Sequence, residues 1–181
     1  AWDESTVFFS SSLNDPDSWR RKVDTQYKEG KLAWNHEHTG DGSVYFAYFP
    51  PFSYARHLDL IEKSAKYSNV ESLGQTLDGR EIECVRVGSG ERSCWIIHRQ
   101  HPGEHMAEFF AEGLLTRLLG LNSNGDVDGL VRRLLSMYTF YIVPSMCPDG
   151  AVRGHLRTNA CGANLNREWA SSGEYTAPSM E

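Results

Sequence analysis

The rhythm of hydrophobic and polar positions changes near residue 52. Before that point the chain is rich in short polar stretches, with one clear apolar run, Val44-Tyr45-Phe46-Ala47-Tyr48-Phe49. It is β-branched and aromatic, follows an Asp41-Gly42 turn signal and stops at Pro50-Pro51, so it predicts a strand. Ser18 to Tyr27 fits a strand or a short helix, and its pattern does not choose between them. From Ser53 the pattern lengthens. Ser53 is placed to cap a helix whose face is approximated by Leu58, Ile61, Ala65 and Tyr67. Glu71 to Thr76 and Glu81 to Val87 read as two strands around the Asp78-Gly79 turn, and Ser93 to Ile97 as another after Gly88-Ser89-Gly90. Met106, Phe109, Phe110, Leu114, Leu115 and Leu118 recur at three- and four-residue steps and predict a helix ending at Gly120. Val127 to Leu135 reads as a second helix and Tyr138 to Val143 as a buried strand stopped by Pro144. The chain thus divides into a β- and loop-rich part, 1–52, and an α/β part, 53–181, with strands alternating with helices around a sheet.

Composition narrows the function classes. The net charge of −6, with acids and bases interspersed, argues against nucleic acid as a partner. No apolar run approaches the ~18–20 residues of a membrane span, and no basic stretch followed by an apolar one marks a secretory leader. The four cysteines form no Cys-x-x-Cys pair, so reduced thiols and a cytoplasmic setting are expected.

Candidate chemistry sits in two stretches that each follow a predicted strand. The first is Trp95-Ile96-Ile97-His98-Arg99-Gln100-His101-Pro102-Gly103-Glu104. Strand ends facing a helix start are where open α/β sheets place ligands. His101 and Glu104, separated by the turn-forming Pro102-Gly103, offer an imidazole nitrogen and a carboxylate, two donors of a known catalytic zinc set. A lone His-x-x-Glu also arises by chance. The flanking His98 reads as a buried strand histidine and His105 as a solvated first-turn residue. The second stretch runs from Pro144 through Cys147-Pro148-Asp149-Gly150, Arg153 and Arg157 to Gly162-Ala163-Asn164-Leu165-Asn166-Arg167-Glu168-Trp169. It reads as a long loop, and loops carry sites more often than they carry stability. Arginine captures carboxylates bidentately, so zinc beside Asn166 and Arg167 describes a site for a substrate with a carboxylate near a scissile amide.

At these residues the sequence resembles the zinc metallocarboxypeptidase superfamily, in its cytosolic carboxypeptidase branch. Leu73-Gly74-Gln75-Thr76-Leu77-Asp78-Gly79-Arg80-Glu81-Ile82 resembles that family's opening hairpin. Gln100-His101-Pro102-Gly103-Glu104 resembles its first zinc motif, Cys147-Pro148-Asp149-Gly150 its Asn-Pro-Asp-Gly turn, and Leu165-Asn166-Arg167-Glu168-Trp169 its substrate-anchoring motif. Val44 to Pro51 resembles the end of the β-sandwich domain that precedes the peptidase domain. The resemblance implies an α/β fold, a metallocarboxypeptidase-like mixed sheet with flanking helices, preceded by part of a β-sandwich domain. Residues 1–52 would end an N-terminal β-rich domain, and 53–181 would be the first half of the peptidase domain. It also implies one zinc ion held in part by His101 and Glu104, with Asn166 and Arg167 on the substrate's terminal carboxylate. Arg157 would polarise the scissile carbonyl, with Arg153 as the alternative. Peptide or protein C-terminal tails would be the partners, and removal of glutamates from acidic tails the finer activity.

Two departures stand out. Asn164 replaces an Asp that in the family orients the first zinc histidine; it can still accept a hydrogen bond but lacks the charge that raises ligand basicity. No His follows Arg167, whereas the family's third ligand and its general-base Glu lie downstream, so the chain is expected to be part of a longer protein. Two rivals remain at this level. One is an acyl-amino-acid amidohydrolase of the aspartoacylase and succinylglutamate desuccinylase type, whose motif carries Gly-Asn rather than Pro-Gly. The other is a catalytically dead relative that binds carboxylate-bearing tails.

Overall fold

The computed structural model describes residues 5–13, 15 and 17–169. The chain divides into two compact units, Ala1–Pro51 and Phe52–Glu181. Phe52, grouped with the first part by the sequence pattern, belongs to the second, where it is buried in the main core with its ring edge-on to Phe109 at 5.0 Å.

The first unit contains two small antiparallel sheets. One has the order β2 (Arg20–Arg21), β1 (Phe8–Ser10), β5 (Tyr45–Ala47), and the other pairs β3 (Gln26–Lys28) with β4 (Lys31–Ala33). The predicted Val44–Phe49 strand therefore forms over its centre. The ambiguous stretch from Ser18 to Tyr27 resolves into extended chain broken by a turn.

The second unit is built on a mixed four-stranded sheet in the order β6 (Asn69–Gln75), β7 (Glu81–Gly88), β9 (Tyr138–Val143), β8 (Arg92–Ile97). β6, β7 and β9 run antiparallel to their neighbours in turn, while β8 runs parallel to β9 with Ile97 level with Val143. A parallel pair needs a crossover. Here it is α2 (His105–Leu119) followed by α3 (Gly129–Met137). α1 (Tyr54–Ala65) precedes β6, with Ser53 Oγ accepting from Arg56 N at 3.2 Å as the predicted cap. Alternation splits the strands between two apolar clusters. Val85, Val87, Phe140 and Ile142 pack with Leu60, Leu115, Leu118 and Val131 of the helices, whereas Ile82, Cys84, Val143 and Met146 cluster separately. Each fully buried Leu or Ile side chain contributes roughly 2 kcal/mol.

Three readings from the sequence are corrected here. The buried positions of α1 are His57, Leu60 and Ser64, while Leu58 and Tyr67 are exposed. In α2 the buried set is Glu108, Ala111, Leu115, Leu118 and Leu119, and Met106 and Phe110 are more than half exposed. Hydropathy misplaced parts of both faces because charged side chains, His57 against Glu108 and Arg56 against Glu112, join these helices beside the apolar contacts. The stretch after Pro144 is not all loop. Pro148–Arg153 forms a short helix, α4, with proline in its first turn and Gly154 closing it in the left-handed region, an arrangement in which proline loses no helical hydrogen bond. Among the described residues no helix is long and apolar enough to cross a membrane.

Candidate metal centre

The parallel strands β8 and β9 end side by side, and the two motifs leave the sheet from there. Main-chain bonds tie the exits together, with His98 N donating to Val143 O at 2.9 Å and Met146 N to His98 O at 3.0 Å. Further out, Gly103 N donates to Leu156 O at 2.9 Å. A Cβ on Gly103 would lie 2.6 Å from that same carbonyl, and one on Gly150 would lie 2.4 Å from Pro102 Cγ. Both glycines are therefore steric requirements of two loops that interlock.

The Pro-Asp-Gly turn is fixed from the other side. Asp149 is fully buried and accepts from Thr76 Oγ1 at 2.9 Å, from Asp78 N at 2.8 Å and from Arg80 Nη1. The β6–β7 hairpin and the turn after β9, separate motifs in the sequence, are thus halves of one contact. Asp78 in turn accepts from Arg153, through Nε at 3.0 Å and through Nη2. Arg153 is held on this hairpin and also donates to Ala160 O at 2.9 Å.

His101 and Glu104 come together. Glu104 is the first, half-in residue of α2, and its Oε1 lies 2.9 Å from His101 Nδ1. The other ring nitrogen, Nε2, lies 3.2 Å from Asn164 Oδ1. A neutral imidazole has one N–H. With Nε2 donating to the Asn164 carbonyl oxygen, Nδ1 and Oε1 face each other as two acceptors, which a cation or a proton between them resolves. Donors at tetrahedral angles on one zinc lie about 3.3 Å apart, so the pair needs to open by only ~0.4 Å to hold the ion. The residues fit two positions of a zinc site. Among the described residues no group of three or more His, Cys, Asp or Glu converges on a metal position.

The remaining candidates lie on the loop 154–169. Asn159, fully buried, shapes it by accepting from Ala163 N at 2.7 Å and Cys161 Sγ at 3.1 Å. Asn164 Oδ1 also accepts from Asn166 N at 3.2 Å, so the side chain that meets His101 also starts the turn carrying Asn166 and Arg167. Both are exposed, and Arg167 Nη1 donates to Asn166 O at 2.9 Å. Trp169 Nε1 donates to Gln100 Oε1 at 3.2 Å, a second bond between the motifs. Arg157 stands exposed on the same loop, outside this hydrogen-bonded set and without an ion-pair partner among the described residues. The structure therefore joins His101, Glu104 and Asn164 directly and sets Asn166 and Arg167 in the following turn.

Behind the His101–Glu104 turn lies a buried ionic cluster that the sequence did not reveal. His57 Nδ1 is 2.6 Å from Glu108 Oε1, and its Nε2 is 3.1 Å from Glu83 Oε2. Arg99 Nη1 donates to Glu108 Oε2 at 2.5 Å and to Phe52 O at 3.1 Å, and its Nε to Pro102 O at 2.8 Å. Arg99 also holds a left-handed backbone, φ 49°, which costs a non-glycine residue roughly 1–2 kcal/mol. His98 is buried as expected, with Nδ1 3.1 Å from Val143 O. His105 is not the solvated residue expected: its Nδ1 accepts from Phe52 N at 2.8 Å, and burial, then the nearby Arg99, pushes its pKa down to about 4.

His57 carries a pH consequence. Burial pulls its pKa down, but hydrogen bonds to Glu108 and Glu83 and the charges of both together outweigh burial and raise it to about 9. A group bound more tightly to its proton in the folded state stabilises that state below its unfolded pKa and loses the effect as pH rises through the folded one. From pH 7 to pH 10 the cluster should lose roughly 2–3 kcal/mol of stability. Urea denaturation of the intact protein across that range is expected to show this slope, and H57Q to lack it; parallel curves would contradict the ionic reading of the cluster.

Comparison with known proteins identifies the family and the fold. The peptidase M14 family profile, described as zinc carboxypeptidase, matches residues 54–180. Mouse cytosolic carboxypeptidase 6 is 30% identical over 152 residues, covering 77% of this chain and 27% of its own length. A metallo-carboxypeptidase structure from Burkholderia cenocepacia is 42% identical with TM-score 0.82, covering 93% of this chain and 45% of that one. The metallo-carboxypeptidase from Pseudomonas aeruginosa, solved with (2-guanidinoethylmercapto)succinic acid, is 39% identical with TM-score 0.80, covering 98% and 46%. The chain spans less than half the length of each relative. With the family profile covering most of it and the mixed sheet superimposing on these structures, the chain belongs to the zinc carboxypeptidase family.

Proposed function

We propose that the intact protein is a zinc-dependent carboxypeptidase that hydrolyses the C-terminal amide bond of peptides or proteins. The observation that carries this is the convergence of His101 Nδ1 and Glu104 Oε1, with His101 held through Asn164 by the loop that bears Asn166 and Arg167. His101 and Glu104 hold the metal in this reading, and the rest of the intact protein supplies the third donor and the general base. When bound, zinc supplies Lewis acidity and lowers the pKa of a coordinated water. The chain's own residues do the remainder. Asn164 fixes the His101 ring so that Nδ1 is the free nitrogen. Asn166 and Arg167, exposed and carrying directional donors, bind the substrate's terminal carboxylate. Arg157, not engaged by any acid among the described residues, is available to stabilise charge developing on the scissile carbonyl. Arg153 is occupied by Asp78, which favours Arg157 for that role.

With Phe52 moved to the second unit, residues 1–51 are read as the end of a β-rich domain and 52–181 as the first half of the peptidase domain. No disulfide joins Cys84, Cys94, Cys147 or Cys161, in keeping with a cytoplasmic setting. The finer substrate, acidic tails that lose glutamates, follows from the resemblance to cytosolic carboxypeptidases. The ligand in the Pseudomonas relative, (2-guanidinoethylmercapto)succinic acid, carries two carboxylates and a guanidinium, so it supports carboxylate binding and not the acidic preference.

The test is hydrolysis by the zinc-loaded intact protein of matched peptides with free and with amidated C-termini, including ends of glutamate and of neutral residues. Release of the last residue from free ends alone is expected. Cleavage of N-acyl amino acids instead would favour the amidohydrolase reading, and tight binding without release would favour a dead relative.

A further inference from the structure

We infer that Arg99 is a positioning residue of the zinc turn: its guanidinium, anchored by the buried Glu108–His57–Glu83 chain, sets the backbone between the two proposed ligands. The inference rests on the metal reading given above. Arg99 Nε donates to the carbonyl of Pro102, which lies between His101 and Glu104. The same side chain is gripped at Nη1 by Glu108 and by the Phe52 carbonyl, so its fork cannot swing. Arg99 is 2% exposed and its backbone is left-handed, so neither hydropathy nor conformation favours arginine at this position. What the position gains from arginine is a planar donor set that reaches a carboxylate and two carbonyls at once.

The anchor is drawn from three core elements. Glu108 lies on α2, His57 on α1 and Glu83 on β7. With Arg99 and His57 cationic and the two glutamates anionic, the cluster is neutral, and its members are wholly or largely buried. The metal turn is thus fastened to the centre of the domain through one side chain.

A counter-charge role and a positioning role for Arg99 predict different results. R99M leaves Glu108 short of a partner, whereas R99M/E108Q restores neutrality and still lacks the donor to Pro102. R99K keeps the charge but offers a compact ammonium in place of the fork. The measurements are zinc affinity of the intact protein, by competition with a chromophoric chelator, and the thermal midpoint. R99M should weaken zinc binding roughly 10- to 100-fold, as loss of a partner supporting a metal ligand does. R99M/E108Q should regain most of the thermal midpoint and none of the zinc affinity, and R99K should bind zinc weakly while remaining folded. Zinc affinity that returns with the midpoint in R99M/E108Q would overturn the inference. So would an R99K affinity within about threefold of wild type, far inside the range expected for such a loss. If neither methionine variant folds, R99K decides alone. A wild-type protein that binds no zinc would refute the metal reading itself, and would show it before any substitution is made.

Discussion

Replacing Glu104 by alanine is expected to remove zinc and C-terminal hydrolysis from the intact protein together, with the fold left intact. Its side chain is about half exposed and faces His101 Nδ1 acceptor to acceptor, so the stability cost should stay within roughly 0.5 kcal/mol, as at other surface positions. The metal cost is much larger. If the ~10–16 kcal/mol of a four-donor zinc site is shared evenly, one donor accounts for about 3 kcal/mol, a few hundredfold in affinity. Metal content after dialysis, measured beside peptide hydrolysis, checks both. A variant that keeps its zinc and its turnover would remove Glu104 from the ligand set.

The second large effect is on stability. Glu108→Leu leaves Arg99 and His57 without the carboxylate that both contact, in a site with 0% exposure at Glu108. Breaking a buried ion pair from one side costs about 3–5 kcal/mol, because the remaining charge is stranded. That is a large share of the roughly 5–15 kcal/mol that separates folded from unfolded domains. Urea denaturation of the intact variant should show a loss in that range, and partial unfolding at room temperature would agree with it. A loss below about 1 kcal/mol would mean that the buried charges are satisfied elsewhere.

Much of this architecture was legible in the residues, and the exceptions have a common cause. The hairpin around Asp78-Gly79, the Ser53 cap, the Gly120 stop and the buried strand Tyr138–Val143 were all readable because local turn chemistry and strand composition agree with the fold. The helix faces were misread where charged residues occupy core positions. Glu108 lies one helical turn from Ala111 and two from Leu115, and His57 one turn from Leu60 and two from Ser64. A lone acid in one apolar stripe and a lone base in another is a signal that the two meet. It is a non-local signal, since the partners lie on different helices. Arg99 carried none, because nothing in sequence announces a left-handed arginine. α4 was hidden by Gly150, although Pro148 and Asp149 together are first-turn residues. Within the site, the spacing of His101 and Glu104 was readable. What was not readable is that Asp149 welds the hairpin to the Pro-Asp-Gly turn, or that Asp78 takes Arg153.

The most direct measurement is a crystal structure of the zinc-loaded intact protein with the metal located by its anomalous scattering at the zinc edge. A single peak is expected, bonded to His101 Nδ1 and a Glu104 carboxylate oxygen, with His101 Nε2 still turned to Asn164 and with Asn166 and Arg167 facing the same cavity. A peak elsewhere, or one bonded through Nε2 with Asn164 released, would contradict this assignment.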